Sequence, residues 1–232
     1  MTDKFIRVYD ENGRSFYGGD QNWLNDLGKD IVESGCGVVA AVNVSLYLAK
    51  RYEISKQEYI ALVQKFAKKH PFSRIEMKLG IGADPFMLGR YLRKTNNLSK
   101  SVKLHYRWGS GRQTQYELMK KMLGADIPVI WGLYSFFSGK NKGLMLYSFK
   151  NGAYIERGTT RAHYVTATGI VEKMGENEPH RRMVRVSSWG EELYVDFDEY
   201  ESFRLGKGEK FFKRVFCICN RIGSNILKIE IK

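Results

Sequence analysis

Cysteine, proline and long apolar runs are all scarce in this chain of 232 residues, and each scarcity excludes a class of protein. Three cysteines are an odd number and too few for a disulfide framework, which predicts a reducing compartment and free thiols. Four prolines and no low-complexity tract exclude a disordered chain. The longest apolar stretches, 38–48 and 127–137, are too short or too interrupted to span a bilayer.

No apolar stretch of the kind that a secretory leader needs follows Met1, so with Met1 as the native start no leader is expected. Together with the free thiols, this predicts a cytoplasmic protein. The length is sufficient for a full-sized core, and the sequence contains no internal repeat. We therefore expect a single domain over residues 1–232.

Acidic residues are outnumbered by basic ones, 25 to 38, which gives a formal net charge of +13. The basic residues are spread along the chain in small clusters near 65–69, 120–121 and 181–185. We interpret them as a solvated basic surface, and the short stretches that alternate basic and aromatic residues, 106–108 and 211–214, fit strands with one buried face. Nucleic acid is therefore not an expected partner, and a peptide or protein substrate is.

The first half of the chain has the patterns of helices. They are predicted at about 36–52, at Lys56–Lys69 behind a Ser55/Glu58 capping box, after Asp84-Pro85, and at 114–123 closed by Gly124. Turn signals at 11–13 and 18–20 leave residues 1–20 as irregular structure or a short hairpin.

Strand patterns dominate the second half of the chain. They are predicted at 102–108, 128–134, 144–149, 153–156, 162–171, 183–188, 192–197 and 213–219, with one short helix at 198–203. Helices followed by an antiparallel sheet predict an α+β protein rather than an alternating βαβ one.

The stretch around Cys36 is the strongest candidate for chemistry. Glycines flank this cysteine, and it opens a run of small and apolar residues typical of a buried helix. A thiol at a helix N-terminus lies at the positive end of the macrodipole, which favours the nucleophilic thiolate. The alternative is a small core residue, as most free cysteines are.

A cysteine nucleophile needs a base, and His163 is the best candidate among the four histidines. His70 lies beside a proline at a helix end, His180 lies in a charged stretch, and His105 lies in a strand that can face either way. His163 opens an apolar strand 127 residues after Cys36 (163 − 36). Papain-type enzymes have their histidine and asparagine about 130–150 residues after the cysteine.

The order and spacing of several blocks resemble a papain-like cysteine peptidase, most closely the bacterial C39-like branch. The blocks are Gln-Asn-Trp at 21–23, Ser-Gly-Cys-Gly at 34–37, Pro-Val-Ile at 128–130 and Ala-His-Tyr-Val-Thr-Ala-Thr-Gly at 162–169. The segment 82–92 resembles the part of that family that lines the cleft, and the likeness covers roughly 21–200. It implies a central cysteine-bearing helix packed on a C-terminal antiparallel sheet.

The resemblance also implies roles for individual residues. Cys36 would be the nucleophile and His163 the general base. Gln21 would form an oxyanion hole with the backbone N–H of Cys36, a donor pair that stabilises the developing negative charge. The spacing of 15 residues between Gln21 and Cys36 (36 − 21) is wider than in papain, so Asn22 is an alternative donor.

The residue that orients the histidine departs from the family. The family has asparagine or aspartate there, whereas this chain offers Ser187 or Ser188. Alignment on the Trp-Gly pair selects Ser187, and alignment on the preceding apolar alternation selects Ser188. Asp196 and Asp198 are near enough in sequence to substitute in space.

A metal site is the chemical alternative, because Cys217 and Cys219 place two thiols on one face of a strand. No second Cys or His pair lies at a zinc-site spacing, so core cysteines are the better interpretation. No metal and no cofactor is expected.

The sequence therefore predicts a thiol hydrolase that cleaves a peptide, isopeptide or amide bond through a Cys36 acyl-enzyme. Acyl transfer to an amine would use the same residues. The serine at the orienting position supports a different class, a binding or scaffold protein that kept the fold and lost turnover.

Overall fold

A computed structural model describes residues 4–69, 85–96, 104–108, 114–134, 143–173, 181–205 and 226–231. Several features predicted from the sequence lie outside these ranges. They are Asp84 as a helix start, the strand at 213–219 with Cys217 and Cys219, and the histidines His70 and His180.

Helices are concentrated in the first half of the chain, as predicted. The bounds are a short 3-10 helix Gln21–Leu27, α1 Lys29–Ser34, α2 Cys36–Leu48, α3 Lys56–Lys69, α4 Pro85–Asn96, α5 Gln115–Gly124 and α6 Phe197–Leu205. The 3-10 helix and α1 were not predicted, because segments of six or seven residues carry too little periodicity to be recognised.

Local capping chemistry sets several of the helix ends. The Ser55 hydroxyl accepts the N–H of Glu58 at 3.2 Å, as the capping box predicted. The helix that contains Cys36 ends at Leu48 rather than near residue 52. The reason is that Lys50 has a left-handed φ of 57°, and its N–H bonds back to the carbonyl of Tyr47.

Strands fill most of the second half. The bounds are β1 Arg7–Tyr9, β2 Ser15–Tyr17, β3 Glu53–Ser55, β4 Leu104–Trp108, β5 Val129–Tyr134, β6 Leu144–Lys150, β7 Ala153–Thr160, β8 Ala162–Lys173, β9 Arg181–Ser188, β10 Glu191–Asp196 and β11 Leu227–Ile231. β1 and β2 form the predicted short hairpin.

Three sheets arise from these strands. Six strands form an antiparallel sheet in the order β5-β8-β9-β10-β6-β7. A three-stranded sheet has the order β2-β1-β3, and β4 pairs with β11. The protein is therefore α+β, with its larger sheet antiparallel, as the sequence predicted.

Helix α2 lies at the centre of the core. It is apolar on nearly every side, which is the pattern of a fully buried helix, and it packs against α3, α4, β5 and β8. Strand β9 pairs with β8, so α2, β8 and β9 bring Cys36, His163 and the two candidate serines to one region. Within the ranges given above, no helix is long and apolar enough to cross a membrane.

Candidate active site

A narrow cleft, here called the Cys36 cleft, lies between α2 and the ends of β8 and β9. Its lining residues are Gln21, Cys36, Val39, Ala40, Asn43, His163, Tyr164, Thr166, Ser187, Ser188 and Trp189. The cavity volume is about 10 Å³, which is room for about one water molecule. The cleft therefore contains the predicted nucleophile, base and both candidate orienting serines.

Cys36 is the first residue of α2, after Gly35, and its side chain is buried. Its Sγ accepts a hydrogen bond from the backbone N–H of Tyr164 at 3.4 Å. Burial raises the pKa of the thiol, while the N–H groups of Tyr164, Gly37 and Cys36 itself lower it by a smaller amount. The expected preference for thiolate is thus wrong for this conformation, because desolvation outweighs the helix terminus.

His163 lies on β8 and is also buried. Its Nε2 lies 2.7 Å from Oγ of Ser188, and its ring stacks on Trp189 with centroids 4.8 Å apart and planes 21° apart. Nδ1 is therefore the ring nitrogen that remains for the thiol in the same cleft. Among the described residues, no direct hydrogen bond joins the Cys36 and His163 side chains.

Burial lowers the pKa of His163 to about 4. At neutral pH both the imidazole and the thiol are uncharged, so the resting state is a neutral pair rather than a thiolate–imidazolium pair. A neutral imidazole is competent as a general base, since its Nδ1 can take the thiol proton while Nε2–H donates to Ser188.

This pKa gives a prediction for stability against pH. An unfolded histidine has a pKa near 6.5, so between about pH 6.5 and 4 the unfolded chain binds a proton that the folded chain does not. The free energy of unfolding should fall through this window as pH decreases, by about 3 kcal/mol from this group.

Urea denaturation of the wild type and the His163→Gln variant at a series of pH values isolates this contribution. The curve of the wild type should fall more steeply than that of the variant between pH 6.5 and 4. Parallel curves would contradict a buried neutral imidazole.

The structure selects Ser188, not Ser187, as the partner of His163. The Ser187 hydroxyl donates to the carbonyl of Tyr17 at 2.7 Å and accepts from Asn43 Nδ2 at 3.3 Å. The placement of Ser187 next to the imidazole, favoured by the Trp-Gly alignment, is therefore wrong. Ser188 ends β9 at the turn that also positions Trp189.

That turn has an unusual backbone. Trp189 and Gly190 both have positive φ, 52° and 71°, as a two-residue hairpin turn between antiparallel strands requires. A bulky residue in this region is strained. This turn places the Trp189 ring against His163.

The two aspartates are engaged elsewhere and do not orient His163. The Asp196 carboxylate accepts the N–H groups of Asp198 and Glu199 at the start of α6. Asp198 pairs with Arg182. The alternative that Asp196 or Asp198 takes the orienting position is thus wrong.

The two oxyanion candidates are separated by the structure. Gln21 lines the Cys36 cleft, but its Nε2 donates to the carbonyl of Val32 in α1 at 2.8 Å. Asn22 is exposed and is not part of the cleft lining. Gln21 therefore remains the candidate, with one of its two amide hydrogens already engaged.

Asn43 is the residue that the sequence reasoning missed. It is buried on α2, two turns after Cys36, and its Oδ1 accepts the N–H of Gly19 at 3.1 Å and the hydroxyl of Tyr59 at 2.8 Å. Its Nδ2 donates to Ser187, and to Thr166 at 3.4 Å. An asparagine inside an apolar run requires such partners, which was the available signal.

This hydrogen-bond network fixes α2 to β8 and β9. It joins α2, which begins at Cys36, to Thr166 of β8 and Ser187 of β9. Thr166 lies three residues after His163, and Ser187 directly precedes Ser188. The relative position of Cys36 and His163 therefore depends on Asn43.

In the part of the chain that the structure describes, no group of three or more His, Cys, Asp or Glu side chains is arranged to hold a metal ion. No protein-family model, curated protein or solved structure matches the chain.

Proposed function

We propose that the protein is a thiol-dependent acyl-transfer enzyme of the papain-like kind, with Cys36 as nucleophile and His163 as base. The observation that carries the proposal is the convergence of a buried thiol and a buried imidazole in one cleft. The imidazole is held at Nε2 by Ser188 and on its face by Trp189, which leaves Nδ1 for the thiol.

The reaction follows from the neutral pair. Nδ1 of His163 takes the thiol proton as Sγ of Cys36 attacks the carbonyl carbon of a peptide, isopeptide or amide bond. The oxyanion that forms would accept from the N–H of Cys36 and the amide of Gln21. Collapse breaks the C–N bond, the imidazolium protonates the leaving amine, and a thioester remains on Cys36.

Deacylation uses the same groups in reverse. His163 deprotonates a water molecule, or an acceptor amine, as it attacks the thioester carbonyl. The imidazolium then returns its proton to the departing sulfur. Hydrolysis gives an acid, and attack by an amine gives a new amide.

Alkylation by iodoacetamide across pH tests the pair, with each cysteine followed by mass spectrometry. If His163 removes the thiol proton, Cys36 should react at a rate nearly independent of pH between 5 and 8. The rate should be lost near pH 4, where the imidazole becomes protonated. In the His163→Gln variant the rate should instead rise about tenfold per pH unit, as for a simple thiol below its pKa. A wild-type profile equal to that of the variant would contradict the proposal.

The orienting role of Ser188 gives a separate prediction. The Ser188→Ala variant removes the hydrogen-bond partner of Nε2, so the imidazole loses the contact that holds its orientation. We expect the acylation rate of Cys36 to fall by about tenfold, less than on loss of the base itself.

Asparagine is the matched rescue at this position, because its amide oxygen can accept the same proton. The Ser188→Asn variant should retain more activity than Ser188→Ala. Equal rates in all three proteins would contradict an orienting role for residue 188.

A second candidate is a binding protein that retains this architecture without turnover. The small volume of the Cys36 cleft and the engagement of Gln21 with Val32 favour it. If the protein is such a binding protein, Cys36 should react with iodoacetamide more slowly than free N-acetylcysteine does at every pH.

A further inference from the structure

A basic groove lies at the other end of α2 from the Cys36 cleft. We define it by the residues Lys4, Arg7, Lys50, Arg51, Tyr52 and Glu53, and its cavity volume is about 590 Å³. Helix α2 has 13 residues, so at about 1.5 Å per residue the groove is about 20 Å from Cys36. It is therefore a separate site from the candidate active site.

Two chain segments form the groove. Lys4 and Arg7 come from the segment that enters and begins β1, and Lys50 and Arg51 come from the turn between α2 and β3. The N–H of Arg7 donates to the carbonyl of Tyr52 at 2.7 Å, which fixes the two segments together. The backbone segments that carry the four cations are thus joined directly.

The positive charge of the groove is largely uncompensated. In the described part of the chain, Lys4, Arg7 and Lys50 have no carboxylate within ion-pair distance. The guanidinium group of Arg7 lies over the ring of Tyr17, 5.1 Å from its centroid. Arg51 has a single partner, Glu58, at 3.6 Å, and both side chains are well exposed, so that pair is weak. Four cations and Glu53 give the lining a formal charge of +3 (4 − 1).

Helix capping does not account for these cations. Basic residues after a helix often satisfy its last carbonyl groups. At the end of α2, backbone N–H groups already satisfy three of these carbonyl groups. The N–H of Ala49 donates to Ser45, that of Lys50 to Tyr47, and that of Arg51 to Leu46. The side chains of Lys50 and Arg51 are therefore available to a ligand.

We propose that the basic groove binds closely spaced phosphate groups, either of a phosphoanhydride chain or of a nucleic-acid backbone. A lining charge of +3 matches a ligand that carries several negative charges in a small volume. A single carboxylate group carries only one negative charge. The guanidinium groups of Arg7 and Arg51 fit phosphate oxygens with two parallel hydrogen bonds. The volume lies within the range of about 300–1,000 Å³ that is usual for ligand sites.

The test measures binding of sodium tripolyphosphate by calorimetry and of fluorescein-labelled (dT)10 by anisotropy, with a ten-residue glutamate peptide as the carboxylate comparison. The groove variant is Lys4→Gln/Lys50→Gln. The matched control is Lys120→Gln/Lys121→Gln on the exposed side of α5, and both lower the formal net charge from +13 to +11 (13 − 2). None of these substitutions touches the Cys36 cleft, so the outcome is independent of the proposed enzyme activity.

We expect the groove variant to lose at least about tenfold in affinity for the phosphate probe and the control to lose less than about twofold. Preference for tripolyphosphate identifies a phosphoanhydride ligand, and preference for (dT)10 identifies a nucleic-acid strand. Three results would overturn the proposal: no binding of either phosphate probe, equal losses in the two variants, or equally tight binding of the glutamate peptide.

Discussion

Replacement of His163 by glutamine is expected to lower the rate at which Cys36 is acylated by an activated ester by about 10²–10⁴-fold at neutral pH. Glutamine retains much of the volume of the ring and can still hydrogen-bond to Ser188, but it cannot take the thiol proton. Because burial keeps the thiol protonated, the loss of the base leaves almost no nucleophile. The measurement is the burst of p-nitrophenol from p-nitrophenyl acetate.

Two controls accompany this prediction. The His180→Gln variant makes the same substitution elsewhere in the chain and should acylate at the wild-type rate. Thermal denaturation near neutral pH should show that the His163→Gln variant is folded. A His163→Gln burst within about twofold of the wild type would exclude His163 as the base.

The Gly19→Ala variant is expected to be much less stable than the wild type. A Cβ atom at this position would lie 2.1 Å from the ring of Tyr59, far closer than van der Waals contact. Tyr59 is fully buried, and its hydroxyl donates to Oδ1 of Asn43 at 2.8 Å with the carbonyl oxygen of Val39 also within reach at 3.0 Å. The ring therefore cannot move without losing this hydrogen bond. We expect a loss of about 3 kcal/mol or more in the free energy of unfolding.

Gly158→Ala is the matched control, since no heavy atom lies within 4 Å of the Cβ it would add. Its free energy of unfolding in urea should stay within about 0.5 kcal/mol of the wild type. Equal effects of the two substitutions would contradict the packing of Tyr59 against Gly19. Gly19→Ala should also slow acylation of Cys36, because Asn43 ties α2 to the strands of the base.

Local sequence signals predicted much of the fold. The Ser55/Glu58 pair marks a real helix start, because capping depends only on residues three apart, and the structure shows a second capping box at Thr114/Glu117. Alternating β-branched and aromatic residues identified the strands of the large sheet, because this alternation is also a property of residues close together in the chain. Helix α1 and strand β11 escaped prediction, since their stability comes from packing rather than from a local pattern.

The sequence predicted which residues line the Cys36 cleft better than it predicted the hydrogen bonds between them. Cys36 and His163 carried recognisable spacing, and the structure brings them to one cleft. The choice between Ser187 and Ser188 depended on the backbone of the Trp189 turn, and the uncharged state of the pair depended on burial. Neither property is local in sequence.

Peptide mass spectrometry of the protein, quenched in acid seconds after mixing with p-nitrophenyl acetate, detects an acyl group on Cys36 directly. We expect an acetyl group on Cys36 that forms in the wild type, decays as the thioester is hydrolysed, and is absent at that time in His163→Gln. Acetylation of Cys36 at equal rates in both proteins, or an adduct that never decays, would contradict a catalytic Cys36–His163 pair.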